Sequence, residues 1–186
     1  MNLGRIHLEK IIMTSEKEIK RAGSRDAFII ATERKIKVRH EDLGSLMGMY
    51  KYFNKNNRYI TLNQNHSRCA QKVTCYHEIG HDINDQDIAK NSLLQDIRLN
   101  MKDPIELRAS LFAAETQLVD SEILEYISRG YTLEQIAMET GTYRDYIAMK
   151  QVLLRFKGYN VKVDEFNPFF FRVAEGKQNG EYYISC

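Results

Sequence analysis

No apolar run in this sequence approaches the ~18 residues of a membrane-spanning helix, which excludes a helical integral membrane protein. The opening residues, Met-Asn-Leu-Gly-Arg-Ile-His, hold no apolar signal core. Cysteine is sparse. Cys69, Cys75 and Cys186 are odd in number and form no Cys-x-x-Cys pair, so a disulfide framework is not expected. These absences place the expected compartment in a reducing cytoplasm and argue against a secreted digestive enzyme. An excess of one charge is also missing. The 27 Lys and Arg against 25 Asp and Glu give a net charge of +2, which implies no strong field for a polyanion. Neither an internal repeat nor a low-complexity linker interrupts the chain. What remains is globular, 43% hydrophobic and 28% charged over 186 residues, enough for one domain with a sizeable core or one domain plus a small appendage.

Histidine is scarce as well, yet two of the five in the chain fall four residues apart around a glutamate. The stretch Val73 to Ile83 contains His77-Glu78-Ile79-Gly80-His81. On a helix, residues i and i+4 lie on one face, one turn apart, so His77 and His81 can offer two imidazole nitrogens to one metal ion. Glu78 sits about 100° further round, beside the metal rather than on it. That is the place for a general base acting on a metal-activated water. Gly80 inside a helix costs about 1 kcal/mol relative to Ala, so a packing or access role is expected for it.

The rest of the chain predicts an α+β domain around this helix. Leu8 to about Lys20 is amphipathic, with Leu8, Ile11, Ile12 and Ile19 apolar. Ser24 or Asp26 can cap a second helix through Arg34, with Phe28, Ile29 and Ala31 facing inward. Ile36 to Val38 reads as a short strand, and His40 to Ser45 as a turn. Leu46 to Phe53 and Arg58 to Asn63 read as a hairpin across Asn54 to Asn57. A small antiparallel sheet thus leads into the motif helix, expected from about Ser67 to Ile83. Ile88 to Leu99 has room for a short helix. Pro104 starts a strong one that runs to about Leu118. Asp120 or Ser121 caps another ending near Gly130, Thr132 caps Leu133 to Thr140, and Thr142 caps a last helix to Phe156. In the tail, Phe169 to Val173 and Glu181 to Ile184 flank Asn179-Gly180, a hairpin signal. The expected organisation is a core over residues 1–130, then a helical pair plus hairpin over 131–186.

Catalytic zinc usually takes three protein ligands and keeps one position open. Glu106 is the chosen third ligand. Glu106, Ala109, Ser110 and Ala113 share one helix face, and two alanines with a serine make that face flat enough to lie close to the His77–His81 helix. Glu115, nine residues on, turns to the opposite side. Asp96 and Asp103 are weaker candidates, and Glu106 also has a plainer reading as a first-turn acid complementing the helix dipole. Ser110 is a candidate to hydrogen-bond a ligand histidine. For an oxyanion-stabilising donor the residues leave His66, Tyr50, Tyr52 and Tyr76 open. Arg58 to Asn63 is a candidate strand edge for an extended substrate.

With both segments in hand, the chain resembles the ImmA/IrrE family of zinc metallopeptidases over about Asp26 to Leu118. The resemblance rests on Leu46-x-Gly48-x-Tyr50, Ile60-x-Leu62-Asn63, the His77 to His81 motif with its glycine, and Glu106-x-x-Ala109-Ser110-x-Phe112-Ala113-Ala114. It implies a zincin-like fold, one Zn2+ per chain on His77, His81 and Glu106, and Glu78 as the base. Ser110 stands where the family more often has Asn. The family is bacterial, often carried by phages or mobile elements, and cleaves a helix-turn-helix repressor. For this chain the resemblance therefore implies a protein partner of that kind.

A different class competes for the C-terminal part. Thr132 to Tyr146 resembles a helix-turn-helix, and its second helix is expected to expose Tyr143, Arg144 and Lys150 toward DNA or toward a substrate. The alternatives are a packed pair that completes the peptidase, and a metal-binding scaffold that sequesters a regulator without chemistry. The local charge is not strongly basic, which weighs against DNA.

Overall fold

Short side chains with oxygen tips start α-helices at Asp26, Ser67, Asp103 and Thr132. The computed structural model describes residues 5–6, 8–91, 94–96, 103–163, 172–178 and 181–185, with side chains over 8–90 and 103–163. After β1 (Arg5–Ile6) come α1 (Leu8–Ala22) and α2 (Ala27–Glu33). Asp26 caps α2, its carboxylate accepting from the amides of Phe28 at 2.9 Å and Ile29 at 3.3 Å. The inward face of α2 differs from the expected one. Ile30 is buried and Ile29 is 46% exposed, because the i, i+3, i+4 stripe here runs through Ala27, Ile30 and Ala31.

The sheet comprises β2 (Lys37–Glu41), β3 (Gly48–Asn54), β4 (Asn57–Asn63) and a short β5 (Leu94–Asp96), in the order β2-β4-β3-β5. β3 and β4 form the expected antiparallel hairpin. β2 runs on through His40 and Glu41, residues expected in a turn, and it pairs with β4 in parallel. β4 is therefore interior. Its backbone groups are paired on both sides, so Arg58 to Asn63 offers no free edge to a substrate. β5 occupies part of the stretch expected to be helical, after a one-and-a-half-turn α4 (Gln86–Asn91).

The period-2 alternation of the hairpin puts Tyr50, Ile60 and Leu62 on one face, all fully buried. Against them lies α3 (Arg68–Asn84), with Val73, Tyr76 and Ile79 in the same core. Ser67 caps α3 through the Ala70 amide at 3.2 Å. A buried charge cluster ties this helix to the sheet. Asp82, fully buried, accepts from the Tyr50 hydroxyl at 2.6 Å, from Arg34 at 2.5 Å and from Arg58 at 2.8 Å.

Next come α5 (Pro104–Gln117), α6 (Asp120–Ser128), α7 (Leu133–Thr140) and α8 (Arg144–Phe156). Thr132 and Gln135 make a reciprocal capping box on α7, and Gly141, at φ 63°, ends it in the left-handed conformation that glycine allows. α6 and α8 lack the expected side-chain caps. Thr142 instead donates to the Gln117 side chain at 3.2 Å. Among the described residues, no helix is long and apolar enough to cross a membrane. At the end, β6 (Arg172–Gln178) and β7 (Glu181–Ser185) pair antiparallel, and β1 pairs with β7.

α8 corrects one expected contact. Lys150 is not on an exposed face; it is fully buried, its ammonium donating to Glu115 on α5 at 2.7 Å and pairing with Asp120 at 2.5 Å. Lys157 reaches the other oxygens of the same two carboxylates, at 2.5 and 2.7 Å. Helical periodicity places Lys150 among Tyr146, Ile147, Leu153 and Leu154, so it follows the buried stripe. Lys150→Met removes one cation of four interlocked charges and is expected to cost about 3 kcal/mol in urea unfolding, by leaving buried carboxylates underpaired. The pH dependence follows from Asp120. Burial works against its charge, but the two lysines hold its carboxyl below the usual range. Its contribution is complete above the unfolded value of about 3.9 and is lost as pH falls through the lower folded value. The Met variant should lose less stability than wild type over that acid interval.

Candidate metal centre

Two helices cross at a point where neither carries bulk. A Cβ on Gly80 of α3 would stand 2.9 Å from the Ala109 Cα and 3.0 Å from the Ala109 carbonyl oxygen of α5. The glycine therefore has the packing role expected of it, and the flat face around Ala109 meets it. Gly80→Ala should gain about 1 kcal/mol of helix propensity and lose more by pushing α5 away, for a net destabilisation of about 1–2 kcal/mol in urea unfolding. Because α5 carries Glu106 and Ser110, the same variant should bind metal less tightly than wild type in a chelator competition.

This close crossing brings His77, His81 and Glu106 together. One ligand atom from each lies within 4.8 Å of the others. The two Nε2 atoms stand 3.0 Å apart, and the Glu106 carboxylate is 3.1 Å from His77 Nε2 and 3.4 Å from His81 Nε2. Both imidazoles are buried, at 0% and 1% exposure, while the Glu106 side chain keeps 15%, so the cluster opens to solvent on the Glu106 side. The outward nitrogens are held by protein. His77 Nδ1 is 3.1 Å from the Ser110 hydroxyl, and His81 Nδ1 is 2.9 Å from the Asp85 carboxylate.

The donor set fits a divalent cation. An ionised carboxylate only accepts, so Asp85 requires a proton on His81 Nδ1, which leaves a lone pair on Nε2 pointing at the shared space. Two imidazole nitrogens and one carboxylate match the three-ligand pattern of catalytic zinc. The electrostatics favour positive charge at the same point. Without a metal, burial opposes a charge on His81, but Asp85, Glu106 and Glu78 outweigh it and raise its pKa to about 10, so a bound cation would take the place of the Nε2 proton. Burial likewise opposes the Glu106 charge, yet the two histidines hold its carboxyl well below the ordinary range. Carboxylates surround this point, and a bound cation would neutralise them.

Glu78 is fully buried on the sheet side of α3, and its charge reaches His81. Its Oε1 lies 3.3 Å from where a Gly48 Cβ would be, so the absence of a side chain on β3 makes room for the carboxylate. Other expected participants are placed elsewhere. Tyr50 donates its hydroxyl proton to Asp82, and Tyr76 donates to the Arg25 carbonyl oxygen at 2.5 Å. Burial first, then nearby carboxylates, pushes both phenols up. Neither has a proton to offer an oxyanion. Tyr52 is half-buried beneath the Lys90 ammonium, 5.3 Å from its ring centre, and His66 is half-buried in the turn before α3. Asp103 caps α5 through the Ile105 amide at 2.8 Å, and the Asp96 side chain lies outside the described residues. Glu115 sits in the lysine cluster, as its rotation round α5 implied. Asp85 was missed, although it follows His81 by the same four residues that separate the two histidines.

An α+β fold whose H-E-x-x-H helix crosses a second helix bearing a carboxylate is that of a zincin-like protein. The comparisons narrow the class. The sequence profile of the peptidase M78 family, described as the IrrE N-terminal-like domain, matches residues 31–149, and the chain belongs to that family. It is 31% identical over 108 residues to uncharacterized immunity region protein 2 of Bacillus phage phi105, covering 58% of this chain and 66% of that one, just under two thirds. It is 32% identical over 122 residues to metallopeptidase ImmA of Bacillus subtilis strain 168, covering 64% and 70%.

Proposed function

We propose that this chain is a zinc-dependent endopeptidase that cuts one specific protein, a helix-turn-helix repressor of a phage or mobile element, in the cytoplasm of a bacterium. The convergence of His77, His81 and Glu106 beside a buried Glu78 carries the reading. The names of two similar proteins, a phage immunity-region protein and a metallopeptidase, support the substrate class.

His77, His81 and Glu106 would hold one zinc ion, which supplies Lewis acidity toward the scissile carbonyl and the attacking water. Glu78 takes the proton of that water and delivers it to the leaving amine. Ser110 and Asp85 keep the imidazoles oriented from behind. Residues 1–130 would carry the chemistry and 131–186 would help to recognise the substrate. On this surface Arg144 is 44% exposed and pairs with Glu134 at 2.5 Å, while Lys150 is buried, so the DNA-binding alternative keeps only one of its two named cations.

Incubation of the zinc-loaded protein with a helix-turn-helix repressor encoded beside it is the test. Two fragments from a single cut, one with a new C-terminus and the other with a new N-terminus, found by mass spectrometry and abolished by a chelator, are expected. An intact repressor together with salt-steep duplex binding by this chain would favour the DNA-binding alternative.

A further inference from the structure

We propose that Asp85, itself held by Arg108, is the positioning residue that fixes His81 toward the metal and sets the spacing between the two ligand-bearing helices. The inference rests on the metal reading above and adds to it Arg108 and the tie between the two helices. The Asp85 side chain is fully buried at the corner between α3 and α4. Its amide donates to the His81 carbonyl oxygen at 2.8 Å, closing α3, and its own carbonyl accepts the Ala89 amide at 2.9 Å, opening α4. The backbone of Asp85 is thus fixed from both sides before its side chain does anything.

The two carboxylate oxygens then serve different elements. Oδ2 faces His81 Nδ1 at 2.9 Å, and Oδ1 receives the Arg108 guanidinium. Arg108 stands on α5 two residues after Glu106. A continuous path of charged hydrogen bonds therefore runs from one ligand, His81, through Asp85 and Arg108, to the helix carrying another ligand, Glu106. Such charge-assisted bonds are short and directional, and they resist the sliding of α5 along α3 that the smooth Gly80–Ala109 contact would otherwise permit.

His77 is held differently. Its Nδ1 meets the Ser110 hydroxyl, which can donate or accept, so Ser110 does not dictate which nitrogen carries the proton. Asp85 can only accept and does dictate it. The asymmetry gives an ordering: loss of the Asp85 charge should weaken the metal site more than loss of the Ser110 hydroxyl.

The test is Zn2+ affinity by chelator competition on the full chain, alongside the unfolding temperature of the metal-free protein. Asp85→Asn keeps the volume and should raise the Zn2+ Kd about 10–100-fold. Ser110→Ala should raise it less. Arg108→Met should raise it several-fold, and the double variant Asp85→Asn, Arg108→Met should be no weaker than Asp85→Asn alone, since both act through one path. Co2+-loaded Asp85→Asn should show an altered visible absorption spectrum, reporting a changed ligand geometry. A Zn2+ Kd within twofold of wild type in a folded Asp85→Asn, with only a lower unfolding temperature, would reduce Asp85 to a helix-end brace and overturn the proposal. If that variant does not fold, Arg108→Met decides, its side chain being 25% exposed and less costly to change; an unchanged Kd there also overturns it. A wild type that holds no Zn2+ would remove this inference and the metal reading together. A wild type that binds Zn2+ beside an unaffected Asp85→Asn removes this inference alone.

Discussion

Glu78→Gln should leave one zinc ion per chain and lower the cleavage rate about 10³-fold or more. The expectation follows from where Glu78 sits. It is adjacent in sequence to His77, a proposed ligand, but turned about 100° from it on the helix, so it is not a natural third donor. Its carboxylate occupies the space left by Gly48, and glutamine matches its volume there. The amide cannot accept and return a proton, so only the chemical step should suffer. Zinc content by metal analysis, read beside single-turnover cleavage of the repressor, separates the possibilities. Wild-type cleavage in the variant would remove Glu78 from the mechanism. Loss of zinc together with activity would make Glu78 a ligand or a structural residue.

Local rules made much of this fold legible. The i, i+4 spacing of His77 and His81, the caps at Asp26 and Thr132, and the proline opening of α5 are each settled within a few residues of chain, and the structure follows them. The placement of Glu106 beside the two histidines was legible because a small-residue face implies a close helix approach, and Gly80 meets Ala109 as that argument requires. The misses share a cause. β2 joins the sheet in parallel beside β4, a pairing that hairpin logic cannot see because β3 intervenes in the chain. Lys150 is a surface residue by type, yet two carboxylates from α5 and α6 make its burial tolerable. Tyr50 has the right chemistry for an active site, but Asp82, 32 residues away, claims its proton. In each case the deciding partner is distant in sequence.

Removing both proposed imidazole ligands should abolish metal binding outright. The wild type is expected to bind one zinc per chain, and the His77→Ala, His81→Ala double variant none, because a single half-buried carboxylate cannot compete with water for the ion. Glu106→Ala should keep both imidazoles and bind clearly more weakly. Asp103→Ala provides the contrast. It removes the α5 cap, costing about 1 kcal/mol of stability, and should retain zinc. Thermal unfolding supplies a second readout that needs no substrate. Zinc at a hundredfold excess over its Kd should stabilise the wild type by about 2.7 kcal/mol, since the unfolded chain offers no assembled site. The double histidine variant should show no such gain, even though truncating two buried rings lowers its baseline. Full zinc occupancy in that variant would place the metal elsewhere in the chain. If Asp103→Ala or Asp96→Ala, rather than Glu106→Ala, weakened binding, the third ligand would not be Glu106.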